Sequence, residues 1–212
     1  MTATPIHDQP FLSYTLLILQ IRGLMTMSTA VGPGAKAPCL DFRNAFLETF
    51  AICQKANQLM VGNMPVAAWH TAPPSRKGRT IADMAAHIQQ VRLMWLSAAD
   101  KSAKPFAKLQ QEKAARAEVQ AALKESAAAV ESVLQRPLHD PAGKVPSFKP
   151  NVVTFIGFLI AHDSHHRGQI GILARQVGHP VDRKTSYGRW EWGGSLWRDC
   201  GLGNTTGGPG SK

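Results

Sequence analysis

Three histidines crowd into the short stretch AHDSHHRGQ, as His162, His165 and His166. Each residue of an α-helix advances about 100°, so positions four apart lie about 40° apart on one face. His162 and His166 therefore share a face. Val152, Phe155, Leu159, Ile170, Leu173 and Val177 mark the inward stripe of the same segment. His166 falls near its middle and His162 at its edge, whereas His165 lies further round and is expected to be partly solvated. Two imidazoles aimed into an apolar core are costly unless something satisfies them. A metal ion does so, and helices offer two ligands to one ion at this i, i+4 spacing.

A third ligand must come from another helix. His87 stands in DMAAHIQQVRLMW, one turn after Met84 and one turn before Val91 and Met94, which points it inward as well. Three imidazoles from two helices would leave coordination positions open for water or substrate. Ordinary hydrogen-bonded core histidines remain the alternative on spacing alone. Asp163 either fixes the tautomer of a ligand or pairs with Arg167 four residues on, and the surface pair is the expected arrangement. Arg167 and Gln169 flank the site, where they could meet a polar or anionic substrate group or simply face solvent. His7, His70, His139 and His179 fall in the leader or in loops and receive no role.

These residues need helices to position them. The first is read at about 41–62, with Phe42, Phe46, Phe50, Cys53 and Leu59 at helical spacing and Gly62 as its stop. Residues 64–79, with two adjacent prolines, read as a connecting loop. The second helix opens at Thr80 with Asp83 in a capping-box arrangement, and carries the stripe Ile81, Met84, Ile88, Val91, Trp95. An Ala-rich third helix is read from about 108 to 136, ended by Pro137, and the proline-bearing 137–150 as a loop. The fourth runs from the N-cap Asn151 to Val177, with Gly178 at C′ and Pro180 beyond. No alternating strand pattern of useful length occurs. The reading is all-α, with irregular ends.

At 212 residues the chain suits one packed domain, and its 44% hydrophobic and 18% charged residues are ordinary globular composition. The net charge of +10 could attract phosphates. However, the basic residues are interleaved with acids, with no run of five or six like charges and no aromatic-basic strip, so nucleic acid is not the expected partner. Cys39, Cys53 and Cys200 form no CxxC pair and suit a reducing cytoplasm. Cys53 reads as a buried apolar residue, with no neighbour in sequence to activate its thiol. The apolar run 11–21 is too short for a membrane span and lacks a positive n-region, so no membrane association is expected. Met25 and Met27 follow it. Residues 1–37 are accordingly read as an extension outside the fold, 38–200 as the domain and 201–212 as a disordered Gly-rich tail. Trp190, Trp192 and Trp197 are expected to pack against the helices rather than cover a pocket.

Taken together, TIADMAAHIQQVRLMWL and LIAHDSHHRGQIGILARQVGHP resemble the DinB/YfiT-like superfamily, over roughly residues 40–195. The shared pattern is one histidine on the second helix and HxxxH on the fourth, followed by RGQ. The resemblance implies a four-helix bundle, commonly dimeric, with one divalent metal ion on His87, His162 and His166. Zinc or nickel is expected first, with iron and manganese also compatible with three histidines. Some members of that superfamily are transferases or isomerases that use a low-molecular-weight thiol. The expectation is thus a metalloenzyme acting on a small-molecule substrate, specifically a thiol-dependent S-transferase. A metal-dependent hydrolase and a noncatalytic stress-response bundle holding a metal or small molecule are the alternatives.

Overall fold

The computed structural model describes residues 40–75, 77–100, 106, 109–110 and 113–192. The leader, the C-terminal tail, Cys39, Cys200 and Trp197 lie outside them. Among the described residues the chain is all-α. It has no strand, only an isolated bridge between Val145 and Phe148. The elements are α1 (Phe42–Gly62), α2 (Val66–Trp69), α3 (Ile81–Ala99), α4 (Arg116–His139), α5 (Val152–Gln176) and α6 (Arg183–Gly188). The four long helices pack mainly in the cyclic order α1, α4, α3, α5, each against two neighbours.

The helix ends follow their local chemistry. Thr80 Oγ1 accepts from the Asp83 amide at 3.2 Å while Asp83 Oδ2 accepts from the Thr80 amide at 2.9 Å, closing the expected capping box at the start of α3. Asn151 Oδ1 accepts from the Thr154 amide at 3.0 Å at the start of α5. At its far end the His179 amide reaches back to the Ala174 carbonyl at 2.9 Å, across Gly178 at φ 81°. That left-handed conformation is one a side chain would strain, which is why a glycine ends this helix. Thr80→Ala is expected to lower stability by about 1 kcal/mol; urea unfolding checks this, with an unchanged midpoint counting against the cap.

Three element readings need correction. Residues 64–79 contain the one-turn helix α2, held by the buried Trp69, whose indole donates to the Ala114 carbonyl at 2.9 Å. The same bond takes up a carbonyl that a longer Ala-rich helix would use internally. The Ala115 amide meanwhile donates to Glu118 Oε2 at 2.8 Å, so α4 begins at Arg116 and not near 108. At its other end α4 passes through Pro137 to His139. Pro137 stands in the last turn, where its missing N–H removes one helical bond only, and its ring is buried.

Two apolar clusters fill the interior. One gathers Met60, Met64, Trp69, Ile81, Ile88, Leu123 and Ile170. The other gathers Phe50, Leu96, Val130, Leu134, Phe155 and Leu159. Between them lie buried polar side chains from every long helix, Gln54 and Asn57 of α1, Arg92 of α3, Ser126 of α4 and Asp163 of α5. The stripe of α3 differs accordingly from its sequence reading. Arg92 is fully buried, Val91 and Trp95 only partly, and Met94 is exposed. Phe42, first residue of α1, is 63% exposed rather than core.

Candidate metal centre

His87 projects from α3 five residues before Arg92, and His162 and His166 project from consecutive turns of α5. Their rings converge, with centroids 5.4 Å apart for His87 and His162, 4.8 Å for His87 and His166, and 4.5 Å for His162 and His166. One ligating nitrogen from each lies within 4.8 Å of the other two. His166 is buried and the other two are half-buried, so the cluster is not sealed from solvent. His165 is exposed, as its position on the helix requires.

Burial favours the neutral, ligating form of His87 and of His166. Burial lowers the pKa of His87 to about 4, with Arg79, His166 and His162 pushing the same way. Burial also lowers that of His166, against a hydrogen bond to Gln169 that raises it. His166 Nδ1 lies 2.8 Å from Gln169 Oε1. With Nδ1–H donating there, Nε2 carries the lone pair. Three imidazoles at this separation, one already held by an orienting amide, could hold a metal ion.

The DinB family model matches residues 40–193, more than half of the chain and the whole of this site. The chain belongs to the DinB family. Comparisons with curated proteins and with solved structures gave no significant match. Within this DinB chain, the residues read from sequence as ligands are the ones that the structure brings together, from the two helices expected.

Its surroundings were read less well. Asp163 does not pair with Arg167 on the surface. It is fully buried, and its Oδ2 accepts from Arg92 Nη2 at 2.6 Å, Asn57 Nδ2 at 2.8 Å and Gln54 Nε2 at 3.2 Å. Burial alone would raise the Asp163 pKa, but the Arg92 guanidinium, with its hydrogen-bond partners, holds it at about 2. Its other oxygen, Oδ1, lies 3.6 Å from His162 Nδ1, and neither buried atom has a hydrogen-bond partner. A shift of a few tenths of an ångström would join them, in the carboxylate–histidine arrangement that orients metal ligands.

Arg92 also donates to the Leu123 carbonyl at 3.0 Å, to Ser126 Oγ at 3.2 Å and to Gln54 Oε1. Its guanidinium therefore ties α3 to each of the other three long helices. Arg92, Gln54 and Asn57 were not singled out in the sequence. The available signal was Arg92 standing four residues after Ile88 and eight after Met84, on an inward stripe that faces another stripe carrying Asp163.

Arg167 turns away from the histidines, donating to Asn57 Oδ1 at 2.6 Å and to Cys53 Sγ at 3.1 Å. Cys53 is buried, as expected. Burial pushes its thiol pKa up despite Arg167, so the guanidinium beside it does not make it a reactive thiolate.

Proposed function

We propose that this DinB chain is a four-helix-bundle metalloenzyme in which His87, His162 and His166 hold one divalent ion, zinc or nickel foremost. The observation carrying the reading is the convergence of three imidazoles from two helices, within 4.8 Å of one another, beside an orienting amide and a buried carboxylate. A bound ion would supply Lewis acidity, making a small thiol or water acidic enough to act as a nucleophile near neutral pH. The protein's own share is to hold His87 and His166 neutral, fix the His166 tautomer through Gln169 and set the His162 ring against Asp163. Half-burial of His87 and His162 leaves the cluster an approach for a small molecule.

Transfer from a low-molecular-weight thiol to an electrophilic substrate is the reaction we favour over hydrolysis. Hydrolysis calls for a proton donor to the leaving group. Asp163, the carboxylate beside the histidines, is fully buried and paired with Arg92, which removes it from that task. We also propose that the protein is a cytoplasmic homodimer. Among the described residues, no helix is long and apolar enough to cross a membrane.

The test is metal content by plasma mass spectrometry on tag-free protein. About one ion per chain is expected in the wild type, and its loss in each of His87→Ala, His162→Ala and His166→Ala. A well-folded wild type that stays metal-free after incubation with zinc or nickel would end the metalloenzyme reading.

A further inference from the structure

On another face of α5 from the histidines, a cavity of about 310 Å³ opens between α1, α5 and the segment after α6. Its walls include Ile52, Ile160, Arg167, Arg189, Trp190 and Trp192, and the metal-site histidines are not among them. The volume falls in the range of small-molecule pockets.

Two features of the lining stand out. Arg189 is half-buried, yet its Nε is shielded from solvent without a hydrogen-bond partner, and its Nη1 meets only the weakly accepting Met60 Sδ at 3.5 Å. Arg167 donates solely to neutral acceptors, Asn57 Oδ1, the carbonyl and Sγ of Cys53, and Ser164 Oγ at 2.7 Å. Among the described residues neither guanidinium has a carboxylate within 4.0 Å. Burial, followed by the charges of Arg167 and Arg175, lowers the Arg189 pKa, as expected for clustered cations without a counter-ion. The second feature is apolar. Trp190 is 74% exposed and Trp192 59%, against the expectation that they pack on the helices. Exposed indoles beside aliphatic walls offer flat surface to a ligand body.

We infer that this cavity binds a small apolar carboxylate, its head on Arg189 and Arg167 and its body against Ile52, Ile160 and the two indoles. A planar guanidinium with unsatisfied N–H groups matches a carboxylate fork, and an anion there offsets the cost of burying cations unpaired. A single negative charge suits a pocket whose remaining walls are largely apolar. The inference does not rest on the metal site, which lies elsewhere on α5.

Calorimetric titration of the full-length protein with 2-naphthoate and its neutral isostere 2-naphthamide tests it. The acid is expected to bind at least about tenfold tighter than the amide. Arg189→Met, which keeps an apolar side chain, should erase that preference, while Arg189→Lys should retain part of it. His87→Ala should leave acid binding unchanged, which separates this pocket from a carboxylate bound at the histidines. Equal binding of acid and amide, no binding of the acid, a preference surviving Arg189→Met, or loss of acid binding in His87→Ala would each overturn the proposal.

Discussion

Arg92→Met is expected to lower the unfolding free energy by about 3–5 kcal/mol, the cost of leaving a buried carboxylate without its cation. Arg92 and Asp163 are both fully buried and 2.6 Å apart, so little solvent screening weakens the effect. The substitution also strips the Leu123 carbonyl, Ser126 and Gln54 of a shared donor, loosening contacts to α4, α1 and α5 together. Removing the charge on both sides, with Arg92→Met and Asp163→Asn combined, should cost less than the sum of the single changes, since neither then strands an ion. Urea unfolding of the four proteins closes the cycle. A single-site loss below about 1 kcal/mol, or additivity in the double variant, would show that the pair is solvated in solution and does not join the helices.

The same pair shows where the sequence was legible and where it was not. Periodicity found the four long helices, and cap chemistry placed Thr80, Asn151 and Gly178 because each acts within its own turn. His87, His162 and His166 were found because a histidine on an apolar stripe is conspicuous, and because two of them repeat at the helical interval. Arg92 and Asp163 obey the same periodicity. Arg92 was missed because a charged residue is normally assigned to solvent, and Asp163 was expected on Arg167 because that partner is nearer in sequence. Which cation reaches a buried carboxylate depends on helices 71 residues apart in the chain, and no local rule supplies that. The start of α4 was lost for a similar reason, since Trp69 fixes it from 45 residues away.

If the three histidines hold a metal ion as proposed, Asp163→Asn is expected to weaken its binding by about 10- to 100-fold while leaving all three in place. A carboxylate facing His162 Nδ1 favours the tautomer whose Nε2 is free to ligate. The amide keeps the shape but loses the charge, and its NH2 can present a donor to a nitrogen that is itself a donor. The substitution also leaves Arg92 buried without an anion, so lower stability should accompany weaker binding. The two consequences are separable. Arg92→Met disturbs the pair equally but keeps the carboxylate beside His162, so the isolated protein should lose stability with a smaller loss of affinity. Competition against a chelating dye, at a temperature where circular dichroism shows both variants folded, measures that difference. If both variants lose affinity in proportion to stability, Asp163 acts on the site only through the fold. If Asp163→Asn alone loses affinity, the carboxylate acts directly on His162, and the polar layer that joins the helices is also part of the metal centre.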